Sequence, residues 1–261
     1  MLKEMTLDGS FTDKPQIAID RIQGMRPRDE TPYYLAFSGG KDSVVIFDLA
    51  KKSGVPFEPH FHFTTVDPPE LARFIKDNYP EVIWDRPKKS MFKLIEERGF
   101  PPSRQIRYCC SELKEYGGKG RTIISGIRWA ESISRSKRRL YERCEKHAAT
   151  WYLNPILDWS NEDVWEYIRT NNLPYCSLYD EGFSRIGCIM CPKTSSEQMH
   201  IEAKRWPKFY NAYLRALGRA IETLHKKGRK SYTSGDSAEE YMEWWMDGIV
   251  AGGTVQCELF G

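Results

Sequence analysis

The chain has 261 residues, with 40% hydrophobic side chains, 29% charged ones and a formal net charge of +3. This is an ordinary globular mixture with enough apolar material for a sizeable core, and its net charge is too small to name a partner. No run approaches the roughly 18 apolar residues of a spanning helix, and residues 1–8 carry Glu4 and no apolar stretch. A membrane span and a cleaved secretory leader are therefore not expected, and a cytoplasmic location is.

In chain order, Ile17, Ala18 and Ile22 share one face of a short helix over 15–24, within an N-terminal helical segment of 1–30. The aromatic-rich run 33–37 reads as a buried strand that passes straight into Ser38, Gly39, Gly40, Lys41, Asp42 and Ser43. An amphipathic helix follows from Val44. Residues 58–64 form the next strand, with His60 and His62 on one face in structural positions. A helix over 69–78 opens on Pro68 and Pro69. A short strand at 81–84, a helix at 90–98 stopped by Gly99, and a buried strand at 122–125 continue the alternation. Alternation of this kind predicts an α/β fold with a doubly wound, mostly parallel sheet.

Such sheets bind ligands beyond the carboxyl ends of their strands, which is where 38–43, 64–67 and 126–128 fall. From Ser160 the chain turns helical. Ser160 and Asp163 form a variant capping box for 164–170. A long helix over 197–227 is expected to break or kink at Pro207, and 238–250 forms a last helix with Trp244 and Trp245 as packing residues. Three regions result: 1–30, an α/β domain with the cysteines at 31–192, and a helical C-terminal extension at 193–261.

The 38–43 turn is the strongest short signal. Two glycines let the backbone approach an anion, the helix N-terminus presents N–H groups to phosphate, Ser38 and Ser43 add hydroxyls, and Lys41 adds a cation. It lacks the spacing of a Walker loop. Arg128 and Arg135 suit phosphate or sulfate oxygens because a guanidinium is a planar fork of donors. Asp67 suits a ribose hydroxyl, a magnesium ion or an N-cap before the two prolines, and Thr64 lies at the same strand end. Between Lys119 and His147 nine basic residues face three acidic ones, a strip that suits phosphates or a solvated face.

The turn resembles the pyrophosphate loop of the N-type ATP pyrophosphatases, the adenine nucleotide alpha hydrolase-like group that includes phosphoadenosine phosphosulfate (PAPS) reductases and ATP sulfurylases. The resemblance continues through Gly126, Arg128, Ser134 and Arg135, through 154–165, and through 173–191, so it runs from about Tyr33 to Pro192. It implies binding of ATP or an adenylyl sulfate, with Lys41, Asp42 and Arg128 catalytic. The nucleotide would be held by Ser38, Gly39, Gly40, Lys41, Asp42, Ser43, Thr64, Asp67, Gly126, Arg128 and Arg135, with Mg2+ on the phosphates.

Seven cysteines without a secretory leader argue against a disulfide framework. Cys109 with Cys110 and Cys188 with Cys191 make a two-plus-two set. A 4Fe–4S cluster, structural zinc or buried thiols each fit that count, although adjacent cysteines are unusual for zinc. The arrangement resembles the cluster-bearing adenylyl-sulfate reductases, which implies a 4Fe–4S cluster near the cations Arg104, Arg107 and Lys114. Cys144 lies in the basic strip, where a cationic setting would lower a thiol pKa or leave it incidental; Cys176 reads as packing.

Reductases of the group attack sulfate with a C-terminal cysteine in a Cys-Gly-x-His setting. Cys257 stands in Gln256-Cys-Glu-Leu-Phe-Gly261 without that glycine or histidine, and the phosphate turn keeps its lysine. This combination resembles the ATP pyrophosphatases of DNA phosphorothioation systems and, less closely, tRNA-thiolating enzymes. The expected activity is α–β cleavage of ATP with an adenylated intermediate that supports sulfur transfer. The alternatives are a thiol-dependent adenylyl-sulfate or PAPS reductase and a nucleotide- and cluster-sensing binding protein. The partners implied are an adenine nucleotide, a sulfur donor such as a cysteine desulfurase (or thioredoxin for a reductase), nucleic acid and a second copy of the chain.

Overall fold

A computed structural model describes residues 2–5, 11–27, 29–145, 147, 149–229 and 237–247. The elements begin with β1 (Lys3–Met5), β2 (Phe11–Asp13), α1 (Lys14–Gly24), β3 (Tyr33–Ala36), α2 (Lys41–Ser53), β4 (Phe57–His62), α3 (Pro69–Asn78) and β5 (Ile83–Asp85). Next come α4 (Met91–Arg98), α5 (Tyr108–Leu113), β6 (Thr122–Ile124), β7 (Tyr141–Arg143), β8 (Trp151–Leu153) and α6 (Asn161–Thr170). The last are α7 (Ser196–Arg205), α8 (Pro207–Lys226) and α9 (Ala238–Asp247).

The chain folds into two compact units, neither contiguous in sequence. The first takes the described residues up to His62, Pro69–Arg86 and Tyr116–Ile186. Its six-stranded sheet has the order β5-β4-β3-β6-β8-β7 and is parallel except for β7, which runs antiparallel to β8 at the edge. The expected α/β class with a mostly parallel sheet is what forms. Central β3 buries Tyr33, Tyr34 and Leu35 in succession, the near-continuous apolar run of a strand covered on both faces. Helix α2 buries Val44, Val45, Ile46, Phe47, Leu49 and Ala50 and ends at Gly54 in the left-handed conformation.

Reading outward from β3, the chain first steps to β4 and β5 and later returns on the other side through β6. The order therefore reverses between β3 and β6, and the crevice of an open α/β sheet opens at such a point. The face carrying His60 and His62 is tied together by polar pairs. His60 Nδ1 is 2.9 Å from Asp85 Oδ2, and the Tyr34 hydroxyl is 2.5 Å from His62 Nε2. These contacts agree with the structural reading of both histidines.

The second unit comprises Phe63–Pro68, Pro87–Glu115 and the described residues from Gly187 onward. It is helical: α8 packs on α4, α7 and α9, and α4 also meets α5. The expected helix over 197–227 is two helices. Pro207 has no N–H to give and crowds the preceding turn, so the chain breaks at Trp206 (φ −126°, ψ 68°) and α8 restarts with proline in its first turn. Trp245 is buried and donates its indole N–H to Pro102 O at 2.7 Å, so it packs as expected. The expected end of the last helix at 248–250 lies outside the described residues.

Five of these elements had no sequence expectation: the two strands of the β1–β2 ribbon, the edge strand β7, its neighbour β8, and the short helix α5. Each is six residues or fewer, too short to show a period. No described helix is long and apolar enough to cross a membrane.

Candidate functional site

In the first unit the 38–43 turn closes β3 and starts α2. Gly39 sits at φ +72°, and a Cβ there would come within 2.6 Å of Leu71 Cδ1 and 2.8 Å of Ile75 Cδ1. Glycine is thus required twice, by the left-handed backbone and by the side chains of α3 beneath it. Ser43 Oγ donates to Gly40 O at 2.8 Å, and Ser38 Oγ donates to Ser43 Oγ at 3.2 Å. Both hydroxyls shape the turn.

Lys41 is buried, with Nζ 3.5 Å from Asp42 Oδ2. Asp42 turns its other oxygen to Arg128, whose Nε donates to Asp42 Oδ1 at 2.7 Å. Arg128 is only 3% exposed and also reaches Trp159 O at 3.3 Å. The ends of β3 and β6 meet here: a Cβ on Gly126 would lie 3.1 Å from the Asp42 backbone. Lys41, Asp42, Gly126 and Arg128 are therefore brought together at the switch point, two cations flanking one carboxylate at a helix N-terminus. Arg135 is partly exposed and forms an ion pair with Glu131, whose other oxygen accepts the Arg128 N–H at 2.9 Å.

The basic strip is less cationic than its composition. Arg121 pairs with Glu58, Arg128 with Asp42, Arg135 with Glu131 and Arg138 with Glu142. Cys144 joins a backbone ladder, its N–H bonded to Thr150 O at 2.8 Å. Cys176 is fully buried, and burial pushes its thiol pKa up, as suits packing.

The second unit gathers the other predicted residues. Cys109 and Cys110 ride on α5, and Cys188 and Cys191 bracket a turn in which Met190 adopts φ +57°. That turn is held by three bonds: Ile189 N–H to Val66 O at 2.8 Å, Met190 N–H to Glu202 Oε2 at 2.5 Å and the Tyr213 hydroxyl to Ile189 O at 3.1 Å. The sulfurs of Cys110, Cys188 and Cys191 act electrostatically on Cys109. Cys109 is pushed well up by donating to the Cys110 sulfur, by burial, and by the charge of Cys110, Cys188 and Cys191. Cys110 is pushed down to about 6, first by that hydrogen bond and then, against burial, by Lys114.

Lys114 reaches solvent, yet its ammonium is held charged by Cys188 and, against desolvation, by Asp67. Asp67 is buried and accepts Thr64 N–H at 2.6 Å; burial raises its pKa against the pull of Lys114. Thr64 Oγ1 accepts from Cys188 Sγ at 3.6 Å. Thr64 and Asp67 thus belong to the thiol-bearing unit. No disulfide joins the six described cysteines. Among the described residues no three His, Cys, Asp or Glu side chains are gathered within the shell of a single metal ion. Cys257 lies outside the described residues.

Tyr179, Glu202 and Tyr213 were not anticipated. Each acts on a backbone group far away in sequence, and nothing in its local spacing marks it.

A mostly parallel sheet with a Gly-Gly-Lys-Asp-Ser turn at its switch point defines an open α/β protein with a glycine-rich turn at a helix N-terminus. The chain belongs to the phosphoadenosine phosphosulfate reductase domain family, whose model matches residues 32–194. It is 34% identical over 195 residues to an uncharacterized protein of Methanocaldococcus jannaschii, covering 70% of this chain and 47% of that one. It is 31% identical over 189 residues to the adenosine 5'-phosphosulfate reductase of Oceanobacillus iheyensis, covering 67% and 78%. The chain thus spans about half of the archaeal relative and most of the bacterial one. Among solved structures, the PAPS reductase of Candida auris aligns with a TM-score of 0.48 at 18% identity, over 71% of this chain and 96% of that one.

Proposed function

We propose that this chain is an ATP pyrophosphatase that cleaves ATP between the α- and β-phosphates, adenylates an acceptor and so supports its thiolation. The observation that carries the reading is the complete Ser-Gly-Gly-Lys-Asp-Ser turn with Lys41 and Arg128 on either side of Asp42. The leaving pyrophosphate gathers charge as the α–β bond breaks. Two buried cations and a helix N-terminus are preorganised to stabilise that charge. An acceptor oxygen attacks the α-phosphorus, pyrophosphate leaves, and a sulfur nucleophile then displaces AMP. Asp42 already serves Arg128 and Lys41, so Mg2+ would draw its ligands chiefly from phosphate oxygens and water.

In the second unit the donor chemistry fits a 4Fe–4S cluster. Four thiols, with no imidazole among them and one ammonium beside them, are the ligands such a cluster takes. Cys109, Cys110, Cys188 and Cys191 would hold it. When bound it would supply an electron-rich centre whose negative charge Lys114 balances. Lys114, Thr64 and the Glu202-braced turn orient the sulfurs.

The second reading, a thiol-dependent adenylyl-sulfate reductase using Cys257 and thioredoxin, is favoured by the name of the Oceanobacillus iheyensis relative. One experiment separates the two. Protein purified without oxygen is assayed for pyrophosphate release from ATP with nucleic-acid and small-molecule acceptors, and for thioredoxin-dependent sulfite release from adenylyl sulfates. Pyrophosphate release that needs Lys41 and ignores Cys257→Ser is the expected result. Sulfite release abolished by Cys257→Ser would replace it with the reductase reading. ATP binding without turnover, together with salt-sensitive nucleic-acid binding, would indicate a regulatory binding protein.

A further inference from the structure

Tyr179 stands against the phosphate turn with a hydroxyl that is only half used. Lys41 N–H donates to its Oη at 2.9 Å across 138 residues of sequence. A Cβ on Gly40 would lie 3.4 Å from the same oxygen. The phenol therefore rests on the first backbone groups of α2, among the N–H groups that a helix cannot satisfy internally. Such groups are ordinarily capped by a short Ser, Thr, Asp or Asn side chain at the N-cap, which here is Gly40 and offers none.

We propose that Tyr179 is a phosphate-binding residue, its Oη–H donating to an oxygen of the nucleotide's phosphate chain; this rests on the nucleotide reading of the 38–43 turn. Three observations carry it. The phenol stays neutral, since burial and then Asp42 work against its ionisation, so it keeps a proton to donate. Among the described residues no acceptor takes that proton, while the oxygen already accepts from the helix amide. An O–H whose oxygen accepts a bond is polarised into a better donor, so the amide's pull is relayed to whatever anion the phenol meets.

The ring is also held in place. The Trp165 and Tyr175 rings stand edge-on to it with centroids 5.1 Å and 6.4 Å away, and the ammonium of Lys41 stands 5.7 Å from its centroid. The backbone beneath is a tight turn, Tyr179 N–H bonding to Cys176 O at 3.1 Å with Cys176 and Leu178 buried. A fixed donor beside a cation and a helix N-terminus is the kind of group that stabilises a charged phosphate without reorganising.

The test titrates inorganic pyrophosphate, ATP and adenosine into the full-length wild type and the Tyr179→Phe variant by calorimetry, with melting curves as a folding control. Losing one hydrogen bond to a charged group predicts about 10–100-fold weaker pyrophosphate and ATP binding. Adenosine binding should stay unchanged, and the melting temperature should fall only by the few degrees that losing the bond to the Lys41 N–H costs. Equal affinity for pyrophosphate would overturn the proposal alone, and so would tighter binding, which would make the phenol a plug on the Lys41 amide. Wild-type protein that binds neither pyrophosphate nor ATP would sink the nucleotide reading and this proposal together.

Discussion

Two residues set the phosphate turn by opposite means, Gly39 by having no side chain and Arg128 by having a charged one that is buried. Gly39→Ala places a β-carbon in the left-handed region and against Leu71. That strain predicts a loss of about 2 kcal/mol or more, a fall in Tm of about 4–8 °C by calorimetric or optical melting. Among the described residues Asp42 is the carboxylate bonded to the Arg128 guanidinium, so Asp42→Ala leaves that buried cation without its ion-pair partner, at a cost of about 2–4 kcal/mol in denaturant titration. The double variant with Arg128→Met and Asp42→Leu should lose clearly less than the two single losses added. Strict additivity would mean that the pair contributes no coupling. The strand–glycine–helix turn was legible because neighbours in sequence make it. The Arg128–Asp42 pair was not, since it needs two strands to end side by side.

At the scale of elements, helix starts are where local sequence and tertiary contact combine. Ser160 caps α6 by accepting Asp163 N–H at 3.1 Å, and Asp163 returns the favour to Ser160 N–H at 2.8 Å, so the Asp variant of the capping box works. Lys14 then reaches Asp163 at 2.7 Å. Burial alone would raise the Asp163 pKa, but Lys14 and the Ser160 N–H outweigh it and hold the carboxyl below the ordinary range. A depressed folded pKa stabilises above the unfolded value and is lost as pH falls through the folded one. Asp163→Asn should therefore lower Tm at pH 7, with the gap to wild type closing below about pH 3.9. A gap that persists at lower pH would show that the carboxylate's charge is not what matters. Ser160→Ala should cost about 1 kcal/mol at any pH. The capping box could be read from spacing alone, whereas Lys14 as its third member could not. The same division holds at the cysteine turn. Its Cys-x-x-Cys spacing was visible, but the Glu202 carboxylate that fixes Met190 comes from α7.

At the scale of the whole molecule, the sheet-bearing unit carries the phosphate turn and the helical unit carries the four thiols. Loading iron and sulfide without oxygen should produce visible absorbance and raise the melting temperature, because a centre that binds only the folded state adds its binding free energy to stability. Cys188→Ser should abolish the absorbance, and Cys144→Ser should leave it intact. Absorbance that survives Cys188→Ser would remove that residue from the ligand set. The sequence by itself determined whatever is encoded by neighbours: the strand–glycine–helix turn, the capped helices, the break at Pro207, and the alternation that makes the sheet parallel. Each rests on the steric and hydrogen-bonding preferences of a few adjacent residues. Only the tertiary structure decided the pairing of Arg128 with Asp42, the arrival of Tyr179 at the Lys41 amide, and the hold of Glu202 on the Met190 N–H. Those contacts close long loops, and their geometry is set by how sheet and helices pack, which no local pattern records.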